Sequence, residues 1–215
     1  MNMYTKITAI AITSILPLLT HASIIVSESD EGVLKSEHAG VATIDFESGC
    51  GYVTCSGKYE IRLNTVGTEN HSAPPFSATP KGEHWLTVPN PDANGFADFT
   101  LDADYNYFGL FWGSIDRYNT LSFISEGSEI ASYTGTELAP LLSNGNQQSW
   151  TTNRFINFYF DDGMTYDAIK LTSTNWAFET DNHAFGNVSV PEPSSLLLLS
   201  LGLLGLGICR KRTAN

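Results

Sequence analysis

The sequence predicts an all-β fold, an antiparallel β-sandwich of a jelly-roll-like type, with a targeting segment at each end of the chain. Short runs of alternating apolar and polar residues, separated by turn residues, fill the middle of the chain. No part of this region keeps the 3.6-residue apolar period of a helix. Each end carries a long uncharged apolar run. We therefore divide the chain into residues 1–22, 23–190 and 191–215.

The first 22 residues have the layout of a secretory signal peptide. Lys6 provides a positive charge, and an apolar run extends from Ile7 to Leu19. Small residues at Thr20 and Ala22 mark a cleavage position after Ala22. The run is too short for a comfortable membrane span. A buried N-terminal strand or helix is the alternative, and the three-part layout favours the signal peptide.

Residues 23–190 form the predicted folded domain, which is long enough for one sizeable core. Ser23 to Gly40 is a polar, acidic leader, with one edge strand as an option. The predicted strands are 41–46, 58–66, 84–88, 95–101, 107–112, 119–124, 129–133, 153–160, 166–172 and 177–190, the last with room for two strands. A proline-rich excursion covers 70–94, and one helical turn is an option between Thr136 and Leu142. Dense turn signals between short strands are typical of a sandwich.

The C-terminal segment predicts a membrane anchor with its end in the cytoplasm. An uncharged apolar stretch, Ser194 to Cys209, follows Pro191, Glu192 and Pro193. As a helix it would be about 24 Å long, somewhat short of a hydrocarbon core of about 30 Å, and such a mismatch is tolerable. Three cations close the stretch, namely Arg210, Lys211 and Arg212. Cations on this side hold that end inside, so residues before Pro191 lie outside.

Composition points away from nucleic acid and towards an oxidising compartment. Without the two ends, 7 basic and 22 acidic residues remain, a net charge of about −15. Such a surface repels nucleic acid and anionic membranes; it suits a solvated acidic face or divalent cations. Cys50 and Cys55 are predicted to form a small disulfide loop, because the chain is exported and no second pair of ligands at metal spacing lies nearby.

No catalytic motif is found, and we predict a protein that is not an enzyme. The domain has neither a nucleophile elbow nor a P-loop. Its histidines do not occur at the spacing of a zinc helix; they are His38, His71, His84 and His183. Its many carboxylates do not single out a glycosidase pair. Asp181-Asn182-His183 is explained as well by a polar cluster at a strand end or bend as by catalysis.

Two kinds of binding site are candidates. Asp92, Asn94 and Asp98 place oxygen ligands around a glycine, as at the start of a calcium loop, although no glutamate closes a twelve-residue loop. Exposed tryptophans on a sandwich can stack on sugar rings. The candidate rings are Trp112, Trp85 and Trp176, with Trp112 expected to be partly exposed at a strand end. Core packing is the alternative for all aromatic residues.

The tail resembles the PEP-CTERM sorting domain: Pro191-Glu192-Pro193, an apolar helix with glycines and a basic cluster follow in that family's order. The resemblance implies an exosortase of a Gram-negative inner membrane that recognises Pro191, Glu192 and Pro193, cleaves near them and releases the protein towards the surface or the exopolysaccharide matrix. Segments 107–116, 118–123 and 177–186 are similar to a family of exosortase-dependent surface proteins. That second resemblance implies no ligand.

These observations lead to one expectation and two rivals. We expect a protein exported by the Sec machinery, anchored in the inner membrane as a precursor, and then delivered to the surface or matrix in a structural or adhesive role, for example in a biofilm. The first rival is a carbohydrate-binding module, with calcium as an option. The second is a secreted glycoside hydrolase, which needs two carboxylates converging in a cleft.

Overall fold

The computed structural model describes residues 23–65, 71–139, 143–161 and 163–190, together with residue 202. The predicted signal peptide, residues 1–22, and the predicted membrane helix, residues 194–209, lie outside these ranges apart from residue 202. Among the described residues, no helix has the length and apolar character needed to cross a membrane.

Strands make up nearly all of the regular structure in the described ranges. In chain order they are β1 (Ile24–Glu28), β2 (Ala42–Ile44), β3 (Thr54–Gly57), β4 (Glu60–Leu63), β5 (His84–Val88), β6 (Gly95–Tyr105), β7 (Tyr107–Gly113), β8 (Asn119–Ser125), β9 (Ser128–Thr134), β10 (Arg154–Phe160), β11 (Tyr166–Ser173) and β12 (Phe178–Gly186). One helical turn, α1 (Gly135–Leu138), follows β9. Thr134 caps it, and its hydroxyl accepts a hydrogen bond from the Glu137 amide.

The strands form two antiparallel sheets. The larger sheet has the order β1-β10-β7-β12-β5-β4, and β2 pairs with β12 beside β5. The smaller sheet has the order β3-β6-β11-β8-β9. This confirms the all-β prediction. From β5 to β12 the chain changes sheet at every connection except the β8–β9 hairpin, which is the strand order of a jelly roll.

The predicted strands agree with the observed ones, with three differences. The leader does contain the optional edge strand β1, paired with β10. Strand β3 was not predicted, because its sequence, Thr-Cys-Ser-Gly, has no apolar alternation. Residues 177–190 contain one strand, β12 (Phe178–Gly186), whose register shifts between Asp181 and Ala184. The shift places Asn182 at φ +51°, a bulge that lets one strand continue where the pattern left room for two.

The core between the sheets is rich in aromatic rings. Phe123 lies at its centre, with ring centroids 4.9 Å from Phe160, 5.1 Å from Phe158 and 5.2 Å from Tyr166. All four side chains are at most 1% exposed. Edge-to-face and tilted ring contacts of this kind add to the stabilisation from burial alone.

A second cluster covers the outer face of the larger sheet. Tyr107, Phe111, Phe155 and Tyr159 project from β7 and β10 to the side opposite the main core. Two irregular stretches contact this face: the leader segment (residues 29–41) and the covering segment (residues 71–79), which contributes Ala78. The larger sheet is therefore buried on both faces, and this explains why the apolar residues of β7 do not alternate.

Replacing Phe123 by Ala is expected to lower the free energy of unfolding by about 3–5 kcal/mol, because the cavity would lie among several rings that cannot all close around it. The matched control is Phe96→Ala, since Phe96 is 48% exposed, and it should cost less than about 1 kcal/mol. Urea unfolding of both variants measures the difference. Equal losses would contradict the placement of Phe123 at the centre of the core.

Candidate functional site

Strand β12 carries three ionisable side chains into the interior. Glu179 and Asp181 are 3% exposed, and His183 is fully buried. The strand has β7 on one side and β5 and β2 on the other. Buried polar groups in such a position must find partners within the protein. We call these three residues the β12 polar line.

His183 faces the main core as part of a short hydrogen-bond chain. The Tyr52 hydroxyl lies 2.6 Å from Nδ1, and Nε2 lies 2.9 Å from Thr180 Oγ1. Thr180 in turn donates to the carbonyl oxygen of Phe111 at 2.9 Å. This order of donors assigns the ring proton to Nε2, with Tyr52 donating to Nδ1. Burial lowers the pKa of His183 to about 3, so the ring is neutral at ordinary pH.

Glu179 and Asp181 face the opposite side and hold the covering segment. The Thr79 hydroxyl donates to Asp181 Oδ2, and the Asn182 amide donates to Oδ1 at 2.7 Å. The amide of Ala73 donates to Glu179 Oε1 at 3.2 Å. The two carboxyl groups therefore attach both ends of the covering segment to the central strand.

The same burial changes the ionisation of both carboxyl groups. Burial raises the pKa of Glu179 well above its usual range, and the nearby Asp116 charge raises it further. Burial raises the pKa of Asp181 to about 7, although hydrogen bonds from Thr79 and Asn182 act against this, and the charge of Asp45 adds a smaller rise. Both shifts favour the protonated carboxyl group, and Asp181 is partly protonated at neutral pH.

A carboxyl group with a pKa near 7 is typical of general acids. Here, however, Asp181 and Glu179 lie beneath the covering segment and are almost completely shielded from solvent. In this structure their contacts are with the backbone and hydroxyl groups of the domain itself. The arrangement is suited to fastening a segment onto a sheet, and the polar cluster interpretation of Asp181-Asn182-His183 agrees with it.

Two of the three tryptophans predicted to stack on sugars are buried. Trp112 is 0% exposed and stacks on Phe178, with ring centroids 4.1 Å apart, so the expectation of an exposed ring there is wrong. Its side chain points between the two sheets. The next residue, Gly113, packs closely against Pro75 on the outer face of the larger sheet. Trp85 is 2% exposed. Trp176 alone of the three keeps a partly exposed ring, stacked on His71 at 4.8 Å.

The calcium candidates are engaged with two different lysines. Asp92 forms an ion pair with Lys58 at 2.9 Å, and Lys58 also donates to the carbonyl oxygen of Asn94 at 3.3 Å. Asp98 forms an ion pair with Lys170 at 3.5 Å. Within the described ranges, no three His, Cys, Asp or Glu side chains are grouped so as to hold a metal ion. Calcium at these residues stays a prediction.

Cys50 and Cys55 are joined by a disulfide in the structure, with their Cα atoms 6.6 Å apart. Both side chains pack against the main core. The bond links β3 to the turn before it, next to Tyr52 and its contact with His183. The residues of the sorting signal, Pro191 to Pro193 and Arg210 to Arg212, lie outside the described part of the chain.

Sequence reasoning did not identify the roles of Glu179, Tyr52 and Thr79. For Glu179 the local pattern is misleading, because Glu179 and Asp181 alternate with Phe178 and Thr180 as the polar residues of a solvent-exposed strand face do. No signal marks Tyr52 or Thr79, because their partners are more than 100 positions away along the chain.

Comparison with known proteins identifies the tail and finds only distant likeness for the domain. Residues 189–212 match the family model described as the PEP-CTERM protein-sorting motif, which supports an exported protein sorted by an exosortase. No curated protein matches the chain.

Among solved structures, the catalytic unit of a thermostable GH87 alpha-1,3-glucanase from Streptomyces thermodiastaticus is similar at 18% identity and a TM-score of 0.42. The match covers 72% of this chain and 28% of the glucanase chain. The Clostridium perfringens protein CpGH89CBM32-6 matches at 11% identity and a TM-score of 0.31, covering 60% of this chain and 91% of its own. We draw nothing about function from these likenesses.

Replacing Tyr52 by Phe is expected to lower the free energy of unfolding by about 1–3 kcal/mol, because it leaves the buried Nδ1 of His183 without a donor. Tyr105→Phe is the matched control. Its hydroxyl donates to Asp102 at the surface, where water can replace it. Chemical denaturation checks both variants. A loss for Tyr105→Phe as large as that for Tyr52→Phe would contradict the assignment.

Replacing Asp181 by Asn is expected to change how stability depends on pH. The folded pKa of about 7 lies above the ordinary aspartate value of 3.8, so the protonated carboxyl group stabilises the folded state below pH 4, and this contribution is lost as the pH rises to 7. The loss is on the order of 2–4 kcal/mol. The variant does not titrate there, so its stability relative to wild type should rise between pH 4 and 8.

Unfolding curves at a series of pH values measure the free energy of unfolding of the variant relative to that of wild type. Contributions that both proteins share, such as that of His183, cancel in this comparison. The control is Asp104→Asn, which alters an exposed carboxylate. A difference between wild type and Asp181→Asn that stays constant with pH would contradict the prediction.

Proposed function

Because the chain carries a PEP-CTERM protein-sorting motif at residues 189–212, we propose that it is the precursor of a surface or extracellular-matrix protein of a Gram-negative bacterium. The Sec machinery exports it, and residues 194–209 hold it in the inner membrane with Arg210, Lys211 and Arg212 inside. An exosortase then recognises Pro191, Glu192 and Pro193, cleaves near them and releases the sandwich domain.

The chemistry of the motif supports this order of events. Each proline fixes φ and lacks an amide donor, so Pro191 and Pro193 favour an extended motif over a helical one. An extended, unpaired segment is the form of substrate that a protease-like active site accepts. The folded domain approaches the motif closely, since Val188 is hydrogen-bonded in both directions to the Asn106 side chain.

The role that we propose for the released domain is structural or adhesive, without catalysis. Its two most perturbed carboxyl groups, Glu179 and Asp181, are 3% exposed and bonded to the covering segment, which favours a part in folding. The alternative is a carbohydrate-binding module, with calcium bound at Asp92, Asn94 and Asp98 as an option. The partly exposed ring of Trp176 favours it.

The test of sorting is a variant in which Pro191, Glu192 and Pro193 are all replaced by Ala. Intact mass measurement of the protein recovered from cells should show wild type without Arg210 to Asn215 and the variant with them. The control, Pro80→Ala with Glu83→Ala, changes the same residue types at exposed positions of the folded domain. It should be processed like wild type. Wild-type protein that retains its last six residues would overturn the proposal.

A further inference from the structure

The residues directly before the sorting motif, 187–190, are fastened to the folded domain, and we call them the strap. They follow β12 and have no strand or helix of their own. The residue that holds them is Asn106, which stands alone between β6 and β7. The strap is therefore attached at the point where the chain passes from the smaller sheet to the larger one.

Asn106 uses its backbone and side chain together in this contact. Its Nδ2 donates to the carbonyl oxygen of Val188 at 3.0 Å, and its Oδ1 accepts from the Val188 amide at 2.8 Å. Its own amide donates to Asn187 Oδ1 at 3.1 Å. Its carbonyl oxygen accepts from the Phe160 amide at 2.9 Å, which ties Asn106 to β10. The side chain thus pairs with Val188 in both directions, as a residue of a neighbouring antiparallel strand would.

Apolar contacts add to these hydrogen bonds. The side chains of Val188 and Val190 both pack against the aromatic cluster on the outer face of the larger sheet. Release of the strap would return this apolar surface to water and break the contacts with Asn106. Both changes are unfavourable, so the docked strap is the stable form of the folded domain.

A docked strap leaves little room between the domain and the membrane. If the membrane span begins at Ser194, as in the proposed function, only residues 191–193 separate it from Val190. Three extended residues cover about 10 Å, and the headgroup layer takes up about 5–8 Å of that distance. With the strap released, residues 187–193 cover about 23 Å, which moves the domain clear of the headgroups.

The docked strap also withholds backbone groups that a sorting enzyme would use. An extended peptide binds to a protein through its backbone amides and carbonyls, and both of these groups of Val188 are occupied by Asn106. We propose that the strap limits the rate of sorting: Asn106 keeps it docked, and the exosortase cleaves only the fraction of precursor whose strap is released. This inference rests on the proposed function and adds to it the residue that controls the rate of cleavage.

The test follows conversion of the precursor to the shortened protein by pulse–chase labelling in cells that process it. Asn106→Ala removes both side-chain bonds to Val188, so the released fraction increases and conversion should be about fivefold faster or more. The matched control is Asn64→Ala. Asn64 likewise donates through Nδ2 to a backbone oxygen, that of Thr79, at 2.8 Å, but it holds the covering segment instead of the strap. Its conversion rate should stay within about twofold of wild type.

A second variant changes the room without changing the contact. Insertion of Gly-Ser-Gly-Ser between Val190 and Pro191 adds about 13 Å of reach and four residues with free backbone groups. It should speed conversion as Asn106→Ala does, and the two changes together should be less than about twofold faster than the faster single variant. Hydrogen exchange of the full chain in a mild detergent monitors the strap itself. The peptide that contains Val188 should exchange faster in Asn106→Ala, but not in the insertion variant.

Several outcomes would overturn the proposal. They are faster exchange at Val188 without faster conversion, an insertion without effect, and an acceleration by Asn64→Ala as large as that by Asn106→Ala. Circular dichroism verifies that each variant is folded, and the insertion variant decides the question if Asn106→Ala does not fold. Wild-type precursor that is never shortened would overturn the proposed function as well. Shortening at one rate in wild type and all variants would overturn only the role of the strap.

Discussion

The rest of the structure depends on how a strand buried on both faces satisfies its own polar side chains. Strand β12 contributes Phe178 to the main core, yet it also carries Glu179, Asp181 and His183. A buried donor or acceptor without a partner lowers the stability of the fold by more than one hydrogen bond contributes to it. Partners inside the domain are therefore needed for these side chains. The domain provides a partner for His183 with Tyr52 and for Asp181 with Thr79 of the covering segment, both from distant parts of the chain. Glu179 accepts from the Ala73 amide at Oε1, while its Oε2 is buried without a hydrogen-bond partner in the structure.

This requirement ties the irregular parts of the domain to the regular ones. The covering segment has no strand of its own along 73–79, but Glu179 and Asp181 provide acceptors for its amide and hydroxyl donors. Burial favours the protonated form of both carboxyl groups, and this reduces the repulsion that an ionised pair at alternate positions of one strand would have in a medium of low dielectric constant. The larger sheet can then bury aromatic rings on its outer face as well.

The arrangement also bears on export and release. Residues of the described core all come before Pro191, so cleavage near the motif would leave that core complete. The backbone and side chain of Asn106 hold Asn187 and Val188 at the sheet end. The motif therefore follows the folded body after only a short connection, and an enzyme acting there must approach close to the domain.

The sequence by itself determined the features that depend on local pattern. Alternation along β2, β4 and β11 predicted strands there, and the order of prolines, apolar residues and cations identified the sorting signal. Only the tertiary structure decided which aromatic rings are buried: Trp112 lies between the sheets and stacks on Phe178, whereas Trp176 keeps partial exposure beside His71. The β12 polar line likewise depends on segments far apart in the chain. Hydrogen bonds across such separations leave no periodic trace in a single sequence, so no local pattern could have revealed them.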